Sequence, residues 1–245
     1  MIERKIYTAE LKRAVQLSQQ TRHLEFAIQG LERFDFIPGQ FLSLLVANRE
    51  GREITRAYSI ASAPYNSSQF DLCLNRVDGG FFSSFLCDMH EGETVRCHGP
   101  HGLFTLRDPL KDSIFICTET GIAPIRAYAQ WLFGDPPRTQ GCEFWLVYGA
   151  GYEEDIYYRD YFEQLAARYP NFHYLVTLSQ GSEHWQGLRG QVQDHARTII
   201  ESLPPEKRQN IHAYICGLNS MIKPVRTLLM ELGLPKKSII YERYD

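Results

Sequence analysis

The apolar residues of this 245-residue chain change their spacing near residue 108. Before that point they form short runs that often alternate with polar residues, as at Phe70, Leu72 and Leu74, and turn residues such as Asp78-Gly79-Gly80 separate the runs. This pattern is typical of antiparallel strands that close into a small barrel or sandwich. One segment, from Phe82 to Met89, contains no turn residue and is predicted to be a helix.

After residue 108 the apolar residues form nearly continuous blocks. The blocks are Ile114–Cys117, Phe144–Tyr148, Tyr174–Leu178, Ala213–Cys216 and Ile239–Tyr241. Such blocks are expected for parallel strands that are covered on both faces. Helices are predicted between them at Pro124–Phe133, Tyr157–Arg168 and Met221–Leu232. The alternation predicts a doubly wound α/β sheet, so we divide the chain into domains 1–108 and 109–245.

Charge is nearly balanced in both domains. Residues 1–108 carry 12 Lys/Arg against 13 Asp/Glu, and the remainder carries 14 against 16. This balance argues against nucleic acid as the main partner. No apolar run approaches the length of a membrane span, and the first ten residues lack the apolar stretch of a secretion signal.

The six cysteines are scattered at positions 73, 87, 97, 117, 142 and 216, without a CxxC pair. Scattered thiols of this kind indicate buried, reduced side chains in the cytoplasm rather than disulfides. The same spacing argues against an internal iron–sulfur cluster or another metal site.

Ligands of an open parallel sheet bind beyond the carboxyl ends of its strands. Four predicted strands end in loop-forming or polar residues, at Thr118–Pro124, Tyr148-Gly149, Ser179-Gln180 and Cys216-Gly217. In the first of these, Gly121 permits close approach and the free amides of the following helix suit a pyrophosphate. Each feature alone also fits a turn glycine or a helix cap. Several along one sheet edge indicate a nucleotide site.

The run Arg56-Ala57-Tyr58-Ser59 places polar residues in a predicted strand of the first domain. The planar guanidinium of Arg56 suits phosphate oxygens, while Tyr58 can stack on a flat ring and Ser59 can donate a hydrogen bond. The amides and hydroxyls of Gly79–Ser84, just before the predicted helix, can also bind phosphates. These residues indicate a ligand with a phosphate and an aromatic heterocycle; an edge strand with an exposed Arg and a half-buried Tyr is the alternative.

In their order along the chain, these motifs resemble the ferredoxin–NADP reductase-like flavoenzymes. The first half contains Pro38-Gly39-Gln40-Phe41, Arg56-x-Tyr58-Ser59, Gly80-x-x-Ser83-x-x-Leu86 and Gly99-Pro100-x-Gly102-x-Phe104. The second half contains Thr120–Pro124, Tyr148-Gly149, Cys216-Gly217 and Glu242-Arg243-Tyr244. The resemblance spans essentially the whole chain. It implies an antiparallel six-stranded β-barrel with one helix that binds FAD, followed by a five-stranded parallel sheet that binds NADP or NAD.

The resemblance also assigns roles to residues by position. The FAD-binding residues would be Arg56, Ala57, Tyr58, Ser59, Gly80, Phe82, Ser83 and Ser84. Arg56 and Ser83 would contact the pyrophosphate, with Ser84 as a helper. Tyr58 would pack on the isoalloxazine ring, and Ser59 would form a hydrogen bond near the flavin N5.

On the nucleotide side, the resemblance implies binding by Thr120, Gly121, Ser179, Gln180, Gly217 and Tyr244. Thr120 and Gly121 would meet the pyrophosphate. Cys216 and Glu242 would line the pocket where C4 of the nicotinamide meets N5 of the flavin, and with Ser59 they are the catalytic candidates. Cys216 would act as a spacer rather than a nucleophile, and Tyr244 would cover the flavin face.

Two positions depart from the family pattern. Many relatives have glycines where this chain has Thr118-Glu119, and a carboxylate is unfavourable beside a pyrophosphate. We therefore expect Glu119 to face solvent or the electron partner. NADPH-preferring relatives commonly have Arg at the positions of Gly151 and Gln180, although Ser179, Arg159 or Arg189 can still approach a phosphate. The choice between NADPH and NADH stays open at this point.

The resemblance implies a monomeric reductase that passes electrons between NAD(P)H and a ferredoxin or flavodoxin. Arg33, Arg49 and Arg52 are candidate contributors to a basic patch for an acidic carrier. The alternatives are a reductase component of a multi-component oxygenase, a quinone or ferric reductase, and, from a different class, a non-catalytic nucleotide-binding sensor subunit.

Overall fold

The computed structural model describes residues 5–48 and 50–244, which form two compact units. The first unit comprises the described residues up to Thr105 together with Ala123–Gly134. The second unit comprises Leu106–Ile122 and the described residues from Asp135 onward. Each unit contains one six-stranded sheet.

The sheet of the first unit is antiparallel. Its strands are β1 (Ile6–Gln16), β2 (Thr21–Ile28), β3 (Phe41–Ala47), β4 (Glu53–Ser59), β5 (Gln69–Asn75) and β6 (Thr94–His101). They lie in the order β4-β3-β6-β1-β2-β5. An antiparallel bridge between Ile60 and Leu72 joins the residue after β4 to β5, so the two edges of the sheet meet and the barrel closes. The predicted six-stranded antiparallel barrel is confirmed.

Apolar side chains fill the interior of this barrel. Phe26 and Phe70 are fully buried and stack with their ring centroids 5.5 Å apart. Helix α1 (Phe81–Asp88) begins and ends one residue before the predicted helix, and it buries Phe82 and Leu86 in the same cluster. Each of these buried side chains contributes about 1.5–3 kcal/mol relative to an exposed one.

Helix α2 (Ile122–Leu132) brings a guanidinium to a buried carboxylate of the first unit. Arg126 donates to Asp71 Oδ2 at 2.9 Å and to the Ala61 carbonyl at 2.7 Å. Tyr65 donates to the same carboxylate oxygen at 2.7 Å. The side chains of Arg126 and Asp71 are 14% and 5% exposed, so this pair is largely removed from water. The network connects α2 to β5 and to the segment after β4.

The sheet of the second unit is parallel. Its strands are β7 (Ser113–Thr118), β8 (Phe144–Ala150), β9 (Phe172–Leu178), β10 (Leu188–Arg189), β11 (His212–Gly217) and β12 (Ile239–Arg243). They lie in the order β10-β9-β8-β7-β11-β12, so the order reverses between β7 and β11. The doubly wound parallel sheet is confirmed, but the expected count of five strands is wrong. The sixth strand, β10, has two exposed residues and is too short to produce an apolar block in the sequence.

The remaining helices are α3 (Arg159–Arg168), α4 (Val192–Ser202), α5 (Pro205–Arg208) and α6 (Asn219–Glu231). The predicted helices correspond to α2, α3 and α6, with ends that differ by up to two residues. Helices α4 and α6 bury apolar side chains in one cluster with those of the strands. Across residues 5–48 and 50–244, no helix combines the length and the apolar composition needed to cross a membrane.

Candidate functional site

Strand β4 presents its polar residues on two faces. Because successive strand residues point to opposite faces, Arg56 and Tyr58 share one face, and Ala57 and Ser59 share the other. Arg56 is exposed, whereas Tyr58 is half-buried and packs near Phe82, with ring centroids 5.9 Å apart. Burial raises the pKa of Tyr58 to about 12. Its phenol is therefore neutral at physiological pH and suited to packing against a ring.

A pocket of about 760 Å³ lies beside the N-terminus of α1. Its lining includes Ile54, Gly79, Gly80, Phe81 and Ser84, together with the acidic residues Glu50, Asp88 and Glu93. The first turn of α1 has no acidic side chain, and the first amides of a helix lack intrahelical acceptors, so this helix end suits an anion. Ile54 and Arg56 lie on the same face of β4. The guanidinium therefore lies on the strand face that borders the pocket.

The two serines at the start of α1 have different surroundings. The hydroxyl of Ser83 is buried; it accepts from the Val77 N–H at 3.0 Å and donates to the Gly80 carbonyl at 3.4 Å. Ser84 is half-buried and lines the pocket. Ser83 thus closes the turn that precedes the helix, while Ser84 presents its side chain to the pocket.

In the second unit, the strand ends at the reversal of the sheet order approach each other closely. Strand β7 is followed by the short 3-10 turn Glu119–Gly121. A Cβ atom at Gly121 would lie 2.4 Å from the carbonyl oxygen of Cys216. Gly217 has φ of 152°, and its Cβ would lie 2.7 Å from Thr118 Oγ1. Glycine at both positions lets the turn after β7 lie against the end of β11, where doubly wound sheets bind ligands.

Cys216, Glu242 and Tyr244 lie together at the ends of β11 and β12. Cys216 and Glu242 are register partners, and the Tyr244 N–H donates to the Gly217 carbonyl at 3.1 Å. Complete burial raises the pKa of the Cys216 thiol well above its ordinary value, and the Glu242 charge raises it further. A thiol that stays protonated is a poor nucleophile, which agrees with a packing role for Cys216.

Ser179 and Gln180 are exposed at the end of β9. Their backbone N–H groups donate to the carbonyls of Ala150 and Gly151, at 3.1 and 2.9 Å respectively. The side-chain oxygen of Gln180 accepts from the Tyr152 hydroxyl. Both residues therefore lie at the carboxyl edge of the sheet, beside the loop that follows β8.

The carboxylate of Glu119 is hydrogen-bonded to residues after β8, whereas solvent or the electron partner was its expected neighbour. Glu119 is half-buried with a left-handed φ of 50°, and its carboxylate accepts from the Gly151 N–H and, at 3.5 Å, from the Tyr157 hydroxyl. Burial raises the pKa of Glu119, the neighbouring Asp155 raises it further, and the two hydrogen bonds oppose this shift. The residues after β8 supply the donors that hold this carboxylate.

Replacing Glu119 by glutamine is expected to stabilise the second unit at neutral pH. Because the folded-state pKa of Glu119 is raised above the ordinary 4.5, stability is fully present below that value and is lost as the pH rises through the folded-state pKa. Glutamine resembles the protonated form at every pH. Thermal unfolding between about pH 4 and 8 should show a stabilisation of the variant that grows with pH.

Glu154→Gln is the matched control for this experiment. It removes the same charge from an exposed position on the short turn after β8, next to Asp155 in the sequence. We expect little pH-dependent difference from the wild type. A Glu119→Gln variant less stable than the wild type at neutral pH would mean that the two hydrogen bonds outweigh the burial of the charge.

No role was predicted for the acidic residues in the loop after β8. Glu153 accepts from both the N–H and the hydroxyl of Ser182, at 3.0 and 2.5 Å, and thereby joins the loops after β8 and β9. The available signal was the acidic run Glu153-Glu154-Asp155, which comes soon after a buried parallel strand. Acidic residues near a strand end are common in loops, so the run alone did not indicate a site.

Two domain families match consecutive parts of the chain. Residues 8–106 match the oxidoreductase FAD-binding domain, and residues 115–227 match the oxidoreductase NAD-binding domain. The chain is also 40% identical to ferredoxin–NADP reductase B of Sorangium cellulosum (strain So ce56), over 100% of both proteins. The chain belongs to the ferredoxin–NADP reductase-like family of flavoproteins. It contains one FAD-binding and one NAD-binding domain of that family.

Another member of this family is the reductase component DmpP of phenol 2-monooxygenase from Pseudomonas sp. (strain CF600). It is 32% identical over 85% of the present chain, which spans 58% of that longer protein. The crystal structure of a ferredoxin NADP+ reductase from Neisseria gonorrhoeae with bound FAD and NADP superimposes with a TM-score of 0.82 and 21% identity. That match covers 98% of this chain and 99% of the other, and it shows a common fold.

Two of the three arginines predicted to contribute to a carrier-binding patch, Arg33 and Arg52, lie close to acidic side chains. Arg33 forms an ion pair with Asp35, and Arg52 lies 3.8 Å from Glu50. Arg49 lies outside the described residues. The charges of Arg33 and Arg52 are therefore offset locally, which weakens their assignment to a basic docking surface.

Proposed function

We propose that the protein is a ferredoxin–NAD(P)+ or flavodoxin–NAD(P)+ reductase. It exchanges a hydride between NAD(P)H and FAD, and single electrons between FAD and a protein carrier. One observation carries this proposal. This chain, which contains consecutive FAD-binding and NAD-binding domains, is similar over its full length to a ferredoxin–NADP reductase. We assign the FAD-binding domain to residues 1–108 and the NAD(P)-binding domain to residues 109–245.

The end of the pocket beside the α1 N-terminus fits the diphosphate of FAD, because the helix amides there lack intrahelical acceptors and the adjacent face of β4 carries a guanidinium. The carboxylates of Glu50, Asp88 and Glu93, which also line the pocket, would have to lie away from the phosphates. Arg56 and the α1 N-terminus would hold the pyrophosphate, with Ser84 as the hydroxyl donor. Tyr58 would pack on the flavin ring, and Ser59 would donate a hydrogen bond near N5. FAD, when bound, supplies the redox chemistry, since a flavin takes up a hydride and passes on electrons singly.

The turn after β7 fits the pyrophosphate of the nicotinamide nucleotide. The backbone amides of Thr120 and Gly121 would bind it, as strand-to-helix turns of doubly wound sheets do. Cys216 and Glu242 would line the nicotinamide pocket, where the protonated thiol acts as a spacer. We assign Tyr244 to the same pocket because its backbone bonds to the residue after Cys216.

Replacing Arg56 by alanine is expected to weaken FAD binding about 30-fold. A hydrogen bond between a guanidinium and a phosphate contributes roughly 2 kcal/mol, and alanine removes it without altering the barrel core, because Arg56 is exposed. Fluorescence titration of the apoprotein with FAD measures this loss. Arg56→Lys, which keeps the charge but not the planar fork, should lose less.

Arg13→Ala is the matched control for Arg56. Arg13 is also exposed, lies on β1 and has Glu25 as its partner. Its replacement should leave the FAD affinity unchanged. An Arg56→Ala protein with wild-type FAD affinity would remove Arg56 from the proposed site.

A second candidate function is that of a reductase component in a multi-component oxygenase. The similarity to the reductase component of phenol 2-monooxygenase favours it. The six cysteines of this chain lack the close spacing of iron–sulfur cluster ligands.

Anaerobic stopped-flow spectroscopy distinguishes these functions. The purified protein should be yellow, bleach on mixing with NADH or NADPH, and regain its absorbance when a ferredoxin or flavodoxin is added. Faster reoxidation by an oxygenase ferredoxin, a quinone or a ferric chelate would favour the corresponding alternative. A colourless protein that binds no flavin would favour the sensor function.

We further propose that the reductase is a cytoplasmic monomer that does not bind nucleic acid. All six cysteines are free thiols, as is usual for proteins of a reducing compartment. The small net charge of −3 agrees with a protein carrier rather than a polyanion as partner. Size-exclusion chromatography with light scattering tests the oligomeric state.

A further inference from the structure

The carboxyl ends of β8 and β9 lie on one side of the sheet edge at which we propose that the nicotinamide nucleotide binds. The sheet order reverses between β7 and β11, so β8 and β9 lie on the opposite side of β7 from Cys216. A dinucleotide held at the turn after β7, with its nicotinamide at β11, therefore places its adenosine over the ends of β8 and β9. In doubly wound sheets, an acidic residue in this region binds the ribose hydroxyl of NAD, and an arginine accommodates the extra phosphate of NADP.

The loop after β8 contains three consecutive acidic residues, Glu153, Glu154 and Asp155. Glu153 lies three residues after β8 and is held by the N–H and the hydroxyl of Ser182, at 3.0 and 2.5 Å. The hydrogen bond from the Ser182 hydroxyl lowers the pKa of Glu153, so the group is ionised at neutral pH. Asp155 and the half-buried Glu119 contribute further carboxyl groups to the same loop cluster.

The two arginines that the sequence offers here are engaged with the protein. Arg189 donates to the carbonyls of Gly181, Ser182 and Trp185, the first at 2.8 Å and the last at 3.2 Å. Arg159 donates to Glu163 at 2.7 Å, and its guanidinium lies 5.7 Å from the centre of the Trp185 ring. Both guanidiniums therefore stabilise the loop after β9 or helix α3, and moving either onto a phosphate would break these contacts.

Gln180, the residue after Ser179, has a neutral side chain that is hydrogen-bonded to Tyr152. Gln180 accepts from the Tyr152 hydroxyl, which joins the two loops beside Glu153. An amide and a phenol can bind ribose hydroxyls, but neither offsets the charge of a phosphate. The loops after β8 and β9, where the adenosine would lie, thus present the hydrogen-bonding groups of Tyr152 and Gln180 together with the negative charge of Glu153.

We propose that the nicotinamide nucleotide of this protein is NADH, and that the Glu153 carboxylate binds the hydroxyls of its adenosine ribose. A ribose hydroxyl donates a proton that an ionised carboxylate accepts. A 2′-phosphate carries up to two negative charges, which the same carboxylate repels. The inference rests on the proposed function, since it names the electron donor of that reaction.

Two measurements on the FAD-loaded protein test the inference. In steady-state reduction of ferricyanide, kcat/KM for NADH should be at least about tenfold above that for NADPH, equivalent to 1.4 kcal/mol. The two nucleotides should differ in KM rather than in kcat. Calorimetry should show that 5′-AMP binds more tightly than 2′,5′-ADP, which differs only by the phosphate. Equal or reversed preference in either measurement overturns the inference. Failure of both nucleotides to reduce the flavin contradicts the proposed function, and the calorimetry still tests the nucleotide preference.

Substitutions test the role of Glu153. Glu153→Gln with Gln180→Arg should raise KM for NADH and lower KM for NADPH by about tenfold each, with kcat unchanged, because only binding at the adenosine end changes. Glu183→Gln removes the same charge from an exposed position in the loop after β9 and should change neither KM. If Glu153→Gln changes KM for both nucleotides equally, Glu153 acts only by holding the loop, and the inference fails.

Discussion

Replacing Asp71 by alanine is expected to lower the free energy of unfolding of the first unit by about 3–5 kcal/mol, the usual cost of breaking a buried ion pair by removal of one partner. Asp71 accepts from Arg126 at 2.9 Å and from Tyr65 at 2.7 Å, and its side chain is only 5% exposed. Alanine would remove the carboxylate that balances the guanidinium in a site that water hardly reaches. Urea unfolding of the FAD-loaded protein at a fixed FAD concentration measures the loss.

A double variant separates the cost of an uncompensated charge from a general disruption of the barrel. Arg126→Met in the Asp71→Ala background removes the stranded guanidinium and should recover part of the lost stability, because the two residues interact directly. Asp35→Ala, which removes an exposed partner of Arg33, should have little effect. An Asp71→Ala protein as stable as the wild type would show that the network does not hold α2 against β5.

The burial of Asp71 illustrates what the sequence could not provide. The alternation of Phe70, Leu72 and Leu74 correctly assigns one face of β5 to the barrel core, and it therefore places Asp71 on the opposite face. That face is covered by Arg126, which comes 55 residues later in the chain. A strand pattern contains information about its own two faces, but the element that covers a face depends on contacts between distant segments.

The strands and helices with strong apolar patterns were predictable, and the short or marginal ones were not. Each continuous block after residue 108 lies in a parallel strand, and the central strands β7, β8 and β11 are buried almost throughout, because a strand covered on both faces needs apolar residues along its length. Helix α4 was missed although Val192, Ala196, Ile199 and Ile200 form a helical stripe. Strand β10 is defined only by its pairing with Thr177 and Leu178.

Side-chain direction at the site was the least predictable property. The sequence placed Glu119 in the turn after β7, which is where it lies, but its orientation depends on the Gly151 N–H and the Tyr157 hydroxyl from another loop. The two serines at α1 show the same limit, because the preceding turn occupies Ser83 and leaves Ser84 at the pocket. Sequence motifs locate the turns of a nucleotide site more reliably than they assign its individual donors.

Replacing Gly121 by alanine is expected to weaken nicotinamide-nucleotide binding roughly 100-fold, the effect of misplacing a binding group by about 1 Å. The added Cβ would lie 2.4 Å from the Cys216 carbonyl oxygen and 3.2 Å from the Gly217 nitrogen. Both neighbours are backbone atoms, so the turn or the end of β11 must move, at a cost of about 3 kcal/mol.

The flavin spectrum and FAD affinity of Gly121→Ala should stay normal, because the substitution lies in the second unit. Stopped-flow reduction at increasing NADH and NADPH concentrations measures the loss of nucleotide affinity, and thermal unfolding measures the strain. Gly151→Ala is the matched control for stability, since its Cβ would meet only Asp155 Oδ2, at an ordinary 3.7 Å. If Gly121→Ala unfolds like the wild type and binds nucleotide equally well, the turn after β7 is not the pyrophosphate site, because a ligand held by those amides cannot tolerate their displacement.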